Sequence, residues 1–309
     1  MTMFSTPEEI LSIKSPVVLF GKDSKDAKNN YHNLLKSWHP DVNTHFLSSE
    51  VTSHINNLWV HYESGKEIPR VSRKHDIGKV SYFDESIEYE INESIAQYIP
   101  DIASLIKGIK YKDDKQKKEF SRYFPDASKI KQDKKKLVIP KPTDVISLQD
   151  ALNFFKGSID PKHVAWIING VINNICLFHL SQGLSFNGIT VENVFICPKH
   201  HTVLFLGGWW HITKLNEKPK ILPKSLHSRG YKDCDMKSIY TLGLKLLGDE
   251  NGTSLWRNSN IPIPMLSFLM GYSELRDPVV LFKKWEDVLI KCFGPRKFIE
   301  MNLNPEEYP

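Results

Sequence analysis

Three residues suited to polar recognition, His39, Pro40 and Asp41, stand together near the start of this 309-residue chain. The imidazole and the carboxylate can each hold a hydrogen-bond or charged partner, and the proline ring stiffens the backbone between them. A given tripeptide recurs by chance in many proteins of this size. Its meaning therefore depends on the elements on either side of it.

The segments that flank the tripeptide predict two helices with the same apolar spacing. The first runs from about Ser24 to Trp38, and it must end at His39 because Pro40 disfavours helical geometry in the residue before it. A second helix follows the linker of residues 42–50. In both, apolar residues recur at steps of i, i+4, i+7, i+8 and i+11, which is one face of an α-helix. Two matched stripes joined by a short loop predict an antiparallel helical hairpin with the tripeptide at its exposed tip.

A second stripe on the first of these helices is basic. Its members follow steps of three, four and four residues, and they lie about 130° from the apolar stripe on a helix of 100° per residue. We therefore expect them to face solvent. They are Lys25, Lys28, His32 and Lys36.

A basic helix face beside an exposed His-Pro-Asp loop resembles the J domain of DnaJ-type co-chaperones. The resemblance covers about residues 5 to 64, with a short first helix from Pro7 to Ile13 that begins at Ser5 or Thr6. The connector of residues 15–23 is longer than the family pattern. In that family the basic helix and the loop dock on a DnaK-type chaperone ATPase and stimulate its ATP hydrolysis.

The resemblance also implies roles for individual residues. Asp41 is expected to accept hydrogen bonds or a salt bridge from a cationic group on the partner, while Pro40 fixes the loop and His39 supports its geometry. The lysines are expected to steer the encounter, with an effect that weakens as salt rises. The implied partner-binding residues are His39, Pro40, Asp41, Lys25, Lys28 and Lys36.

The remainder of the chain predicts strands first and helices later. Residues 80–84 and 87–91 alternate like half-buried strands, residues 113–124 suit a short helix capped by Asp113 or Asp114, and residues 135–142 suit a strand that its prolines end. Beyond Ser147 we expect helices at Leu148–Phe155 and Pro161–Leu180, a strand pair, and three or four further helices. The last helix, in residues 277–293, is expected to bury Val280, Phe282 or Leu281, Trp285, Val288 and Leu289. The fold class is therefore α+β.

The middle of the helical part resembles the catalytic segment of protein kinases, in which a long helix leads to H-R-D-x-x-x-x-N, a β-hairpin and D-F-G. When Asn193 is matched to the asparagine, Gly188 stands at the catalytic aspartate and Leu206 at the aspartate of D-F-G. Residues 238–243 are similar to the D-[IV]-[WY]-S-L-G stretch, with Ser238 in place of the acidic residue. The resemblance implies a two-lobed kinase-like fold after the all-α J domain: residues 1–64, 65–146 and 147–309.

The chemistry of these positions argues against phosphoryl transfer. That reaction needs one carboxylate to orient the acceptor hydroxyl and another to hold Mg²⁺ across the phosphates. Gly188 has no side chain, and Leu206 cannot ligate a hard cation. No G-x-G-x-x-G precedes them, and no V-A-I-K-like lysine can be assigned. We therefore predict a pseudokinase with no catalytic residues, no metal and no cofactor.

Other candidates have simpler interpretations. The four cysteines lack metal-ligand or disulfide spacing, and His200-His201 lacks an evident further ligand, so neither predicts a metal site. Trp209 and Trp210 are expected to pack in the core with at least one indole half exposed. Asp233 and Asp235 are expected to be capping or surface carboxylates.

Net charge is +5, and it is unevenly distributed. Residues 107–136 contain twelve Lys or Arg and five Asp or Glu. Such a patch could bind nucleic acid, with stacking by Tyr111, Phe120, Tyr123 and Phe124, although a solvated surface is the interpretation we favour.

Asparagines interrupt the most apolar stretch, at residues 163–180, and no leader is evident, so neither a membrane span nor a signal peptide is expected. The predicted function is a cytoplasmic co-chaperone that recruits a DnaK-type ATPase, with the pseudokinase as the surface for an unknown client or scaffold protein. A nucleic-acid-binding adaptor and an atypical active kinase are the alternatives.

Overall fold

The computed structural model describes residues 6–13, 15–21, 23–65, 69–215, 217–221, 223, 233–271 and 277–305. The chain divides into two compact units, Met1–Arg70 and Val71–Pro309. The first division thus falls at residue 70, whereas the sequence predicted it at 64. Helices and antiparallel strands occur together, which agrees with the predicted α+β class. The division of the second unit at residue 146 stays a prediction.

The described part of the first unit is helical. Helix α1 begins with a capping box: the Thr6 hydroxyl accepts from the N–H of Glu9, and the Glu9 carboxylate accepts from the N–H of Thr6. Helix α3 begins at Asp23, whose carboxylate accepts from two backbone N–H groups of the first turn. The helices are α1 (Pro7–Ser12), α2 (Pro16–Phe20), α3 (Ser24–Trp38) and α4 (Ser48–Ser64).

Helix α2 is an element that the sequence did not predict. Its valines favour strands, but Pro16 occupies the first helical position, where its fixed backbone angle suits a helix. Leu19 and Phe20 are buried, and the Phe20 ring meets the edges of Tyr31 and Trp59. Burial of these side chains therefore outweighs the local preference of the connector.

Helices α3 and α4 pack antiparallel. Tyr31, in the middle of α3, stacks on Trp59 near the end of α4 with ring centroids 4.4 Å apart. Trp38, the last residue of α3, accepts through its carbonyl from the Thr52 hydroxyl near the start of α4, at 2.8 Å. Early residues of one helix thus face late residues of the other, as the matched apolar stripes predict. The core of the unit is Ile10, Leu19, Phe20, Ala27, Leu34, Trp38, Val51, Ile55, Leu58 and Trp59.

The second unit begins with a five-stranded antiparallel sheet of order β1-β2-β3-β5-β4. Short helices fill the connection between β3 and β4, and the Asp113 carboxylate caps α7 as predicted. The strands are β1 (Val71–His75), β2 (Gly78–Tyr82), β3 (Ser86–Ile91), β4 (Lys131–Gln132) and β5 (Lys136–Pro140), and the helices are α5 (Glu93–Ala96), α6 (Ile102–Lys107) and α7 (Asp114–Phe120).

Longer helices and two small sheets follow the five-stranded sheet. Strands β6, β8 and β9 form one small sheet, and β7 pairs with β10 in the other. The helices are α8 (Leu148–Phe154), α9 (Pro161–Leu177), α10 (Cys234–Leu246), α11 (Ile263–Met270) and α12 (Pro278–Phe293), and the strands are β6 (Ile146–Ser147), β7 (Leu184–Ser185), β8 (Val194–Cys197), β9 (Thr202–Phe205) and β10 (Thr213–Lys214).

Helix α9 packs against α10 and α12. Together with the turn of residues 178–182, α9 forms a helix, Pro161–Gln182, that is long and apolar enough to cross a membrane. Core helices also meet this criterion, and 56% of its most apolar stretch is buried inside the protein. In α12 the buried side chains are Pro278, Leu281 and Trp285. Val280 is 38% exposed, so the prediction that it is buried is wrong. Val280 lies just outside the buried stripe of α12, whose members are spaced three and four residues apart.

Candidate functional site

The His-Pro-Asp loop begins with a tight turn at the end of α3. The N–H of His39 donates to the Leu35 carbonyl at 2.8 Å, which closes the last turn of the helix. The His39 carbonyl in turn accepts from the N–H groups of Val42 and Asn43, both at 2.9 Å. Residues 39–43 are therefore held by backbone hydrogen bonds.

Side chains brace this turn from both ends. The N–H of Asp41 donates to Nδ1 of His39 at 3.3 Å, and the same nitrogen lies 3.4 Å from the Asp41 carboxylate. The Asn43 amide donates to the Ser37 carbonyl at 2.8 Å and accepts from the N–H of His45 at 2.9 Å. The Asp41 side chain is 87% exposed. The loop thus presents a carboxylate to solvent on an ordered backbone.

The basic stripe of α3 lies on the solvent side, as the sequence predicts. All four members are exposed, whereas Ala27, Leu34 and Trp38 on the opposite face are buried. His39 follows Lys36 by three residues, so the stripe leads along the helix to the loop. We call Lys25, Lys28, His32, Lys36 and Asp41 the loop-and-helix surface.

Sequence reasoning missed the apolar residues of this loop. Phe46 is 84% exposed, and its ring lies on the ring of His45 with centroids 4.7 Å apart. Val42 is 69% exposed. The only signal in the sequence was the apolar residues Val42, Phe46 and Leu47 within a linker of otherwise polar residues, and apolar character alone does not distinguish a buried side chain from an exposed one.

In the second unit, the position matched to the catalytic aspartate is closed by backbone. A Cβ atom added to Gly188 would lie 2.6 Å from the carbonyl oxygen of Gly208 and 2.8 Å from its Cα. Leu206 is fully buried. A carboxylate at residue 188 would therefore require the backbone of one of the two segments to move.

Asn193 braces the loop that carries Gly188. Its side-chain amide donates to the Gly188 carbonyl at 3.1 Å, and its backbone carbonyl accepts from the N–H of Gly207 at 3.0 Å. Its Oδ1 is buried without a hydrogen-bond partner among the described residues. A Cβ at Gly207 would come within 2.8 Å of that oxygen and of the Tyr89 hydroxyl, so Gly207 is packed between them.

Three aromatic rings pack together next to Gly207, two of them from the five-stranded sheet. His75, Tyr89 and Trp210 meet edge to face, with centroids 5.0–5.3 Å apart. Burial raises the pKa of Tyr89 well above its ordinary value. Trp209 is fully buried and Trp210 is 2% exposed, so the prediction of a half-exposed indole is wrong. Both rings fill the interior of the unit.

Two strand features bear on the predicted kinase resemblance. The turn between β1 and β2 is tight, since His75 pairs with Gly78, and it contains one glycine. Strand β3 has the sequence SIEYEI and carries no lysine. The absence of nucleotide binding stays a prediction.

Asp235 is a buried, hydrogen-bonded residue that the sequence analysis misjudged. It is 1% exposed and accepts from the N–H groups of Phe186 and Asn187 at 2.9 and 2.6 Å, and it pairs with His179 at 2.9 Å. The interpretation as a capping or surface carboxylate was wrong. The buried hydroxyl of Ser238 has no hydrogen-bond partner in the part of the chain that is described.

The basic segment of residues 107–136 borders a cavity of about 1310 Å³. Both signs of charge line it, including Lys117, Arg122 and Asp126. Phe124 is 6% exposed, and the Tyr123 ring is covered by Arg122. Phe124 and Tyr123, two of the four side chains expected to stack on bases, are therefore engaged within the protein.

His200 has neighbours that the sequence did not reveal. Cys197 and Asp144 lie close to it, so the prediction that no further ligand is near is wrong. The four cysteines are free, with Cys197 and Cys234 buried and Cys176 and Cys292 half-buried.

The structure thus has two candidate regions: an exposed, charged surface on the first unit and a closely packed region around Gly188 in the second. No model of a known protein family matches this chain, and no curated protein matches it.

Proposed function

We propose that this protein is a co-chaperone whose first unit is a J domain that recruits a DnaK-type chaperone ATPase and stimulates its ATP hydrolysis. The observation that carries the proposal is the Asp41 carboxylate, 87% exposed on a turn that His39 braces. It projects from the end of a helix whose solvent face is basic. This combination suits a surface that binds a folded partner by charge.

The physical argument rests on the different environments of the two charge types. Asp41 lies on an ordered turn, so a cationic partner group can pair with it at little further cost in conformational entropy. The lysines of α3 are long, mobile and exposed, and they act mainly on the rate of encounter. Asp41 is therefore expected to contribute to the stability of the complex, and the lysines to its formation.

For the second unit we propose a pseudokinase that supplies the surface for a client or scaffold protein in the cytoplasm. Support for a kinase-like arrangement comes from the sheet that precedes the long helices and from Asp235, which holds the backbone of residues 186 and 187. Support for inactivity comes from Gly188, which has neither a carboxylate nor room for one.

The test is the ATPase rate of a DnaK-type chaperone with and without this protein. We expect stimulation by the wild type. We expect Asp41→Asn to reduce the apparent affinity of stimulation about 10- to 100-fold, because a hydrogen bond to a charged group contributes about 1.5–3 kcal/mol.

Glu63→Gln is the matched control, because Glu63 is an exposed carboxylate near the end of α4 and its loss changes the net charge equally. It should stimulate like the wild type. Two results would contradict the proposal. One is a chaperone ATPase rate that neither the wild type nor Asp41→Asn raises above its basal value. The other is an equal loss of stimulation in Asp41→Asn and Glu63→Gln.

A further inference from the structure

Three potential metal ligands meet at the edge of the small sheet formed by β6, β8 and β9. Cys197 ends β8, His200 lies in the turn that leads to β9, and Asp144 precedes β6. Their ligand atoms all lie within 4.8 Å of one another, and the Cys197 thiol donates to Asp144 Oδ2 at 3.3 Å. The group contains one sulfur, one imidazole and one carboxylate.

The sheet register explains why residues so distant in sequence are neighbours. Strand β6 runs antiparallel to β8, with Ile146 opposite Ile196. Asp144 lies two residues before Ile146, and Cys197 lies one residue after Ile196. The chain at Asp144 therefore passes beside Cys197. Since β8 continues through a short turn into β9, His200 returns to the same edge. Strand pairing thus fixes the backbone positions of all three residues.

The turn after β8 is short and closed by a backbone hydrogen bond. The N–H of His200 donates to the Cys197 carbonyl at 3.3 Å. His200 is therefore held close to Cys197 by the backbone of the hairpin.

The dimensions fit a tetrahedral zinc ion. Bond lengths of about 2.3 Å to sulfur and about 2.0–2.2 Å to nitrogen and oxygen imply ligand atoms about 3.3–3.6 Å apart. Sulfur and carboxylate already lie at that separation, and His200 is exposed, so a rotation of its side chain can close the remaining gap. A mixed sulfur, nitrogen and oxygen set favours Zn²⁺ over Ca²⁺ or Mg²⁺, which prefer oxygen ligands.

We propose that Asp144, Cys197 and His200 bind one Zn²⁺ ion. On binding, the Cys197 thiol releases its proton to solvent and the thiolate becomes a ligand. Three protein ligands leave a fourth position for water or for an external donor. The ion joins the segment between β5 and β6 to the β8–β9 hairpin, so it fixes the connection between the five-stranded sheet and the helices that follow.

The test is titration of the full chain with Co²⁺, which takes zinc sites and gives a near-ultraviolet charge-transfer band when a thiolate binds it. We expect one equivalent to produce the band and Zn²⁺ to abolish it. Cys197→Ser should remove the band. His200→Ala and Asp144→Asn should each weaken Co²⁺ binding by about 100-fold. Loss of a residue that only supports a ligand weakens metal binding by about 10- to 100-fold, so loss of a ligand itself should reach the upper end of that range.

Cys176→Ser is the control, since Cys176 is a half-buried free cysteine in α9, outside the cluster. It should retain the band. His200 and Asp144 are exposed, so their variants can bind less without loss of the fold. No band with the wild type, a band that survives Cys197→Ser, or unchanged affinity in His200→Ala would each overturn the proposal. The last two results would mean adventitious binding to other side chains.

Zinc should also raise the melting temperature. At about 100 times the dissociation constant, we expect a rise of about 5 °C in the wild type and none in Cys197→Ser. A rise of the same size in both proteins would contradict the assigned ligands.

Discussion

Gly188 and Asp41 carry the two halves of the proposed function. At Gly188 the absence of a side chain lets the backbone of Gly208 approach, so there is no room for a side chain at that position. At Asp41 a carboxylate is present and 87% exposed. The proposal assigns no catalysis to the first position and a partner contact to the second.

A carboxylate returned to the closed position is expected to destabilise the protein without creating a nucleotide site. Gly188→Asp should lower the free energy of unfolding by about 1–3 kcal/mol, because its Cβ would overlap the backbone of Gly208. Mg-ATP should leave the melting temperature of both wild type and variant unchanged. Thermal-shift titration measures both effects.

Gly183→Asp is the matched control, since nothing lies within 4 Å of a Cβ added at Gly183. Its cost should be about 1 kcal/mol, from the left-handed backbone alone. Stabilisation of the wild type by Mg-ATP would favour an atypical kinase. A Gly188 variant as stable as the wild type would mean that the segment moves freely.

Helix α3 has two faces with separate tasks. One face packs on α4 through Leu34 and Trp38, and the other carries the basic side chains that lead to the loop. The apolar face fixes the direction of the helix. The basic face is therefore held in one orientation, although its individual side chains are mobile.

Reversal of charge on this helix is expected to slow association with the ATPase. Lys28→Glu with Lys36→Glu should reduce the association rate about tenfold at low ionic strength, because the lysines attract an acidic partner surface over distances comparable to the Debye length. The difference should shrink at high salt. Stopped-flow or surface-binding kinetics over a range of salt concentrations measure it.

Lys283→Glu with Lys284→Glu on α12 is the control, because these lysines are exposed and the net charge changes equally. It should associate at nearly the wild-type rate. A reduction that is equal for both pairs would mean that net charge, and not the face of α3, governs the encounter.

Over the whole molecule, buried histidines make stability depend on pH. His211 in the second unit is fully buried, and its Nδ1–H donates to the Ile221 carbonyl at 2.6 Å. Burial lowers its pKa to about 3; the hydrogen bond to Ile221 opposes this shift, and nearby His75 contributes to it. Burial also lowers the pKa of His163. The folded protein therefore resists protonation at these rings.

Acid is expected to destabilise the second unit in a defined range. The pKa of His211 is near 6.5 in the unfolded chain and about 3 in the folded protein, so between these pH values the unfolded chain binds one more proton. The contribution of neutral His211 to the free energy of unfolding is therefore fully present above pH 6.5 and decreases as the pH falls. From pH 6.5 to 5.0 the loss should be about 2 kcal/mol from this residue.

Calorimetry at several pH values measures this slope. His211→Asn keeps a donor for the Ile221 carbonyl but cannot titrate, so its stability should change less over the same range. An equal slope in wild type and His211→Asn would contradict the assignment to this histidine.

Sequence patterns were sufficient wherever local structure depends on neighbouring residues. The bounds of α3 and the cap of α7 follow from periodicity and capping side chains within a few positions. The solvent position of the basic stripe follows from helical geometry. The partner that this surface binds stays a prediction.

The tertiary structure decided what depends on residues far apart in the chain. Asp235 reaches loop residues 48 and 49 positions earlier, and Asp144 meets Cys197 across 53 positions. Burial of Trp210 and formation of α2 likewise required neighbours from other elements. The sequence by itself determined the helical hairpin, its exposed tripeptide and the missing carboxylates. Only packing determined which polar groups meet, because a contact across a fold depends on the path of the whole chain between its partners.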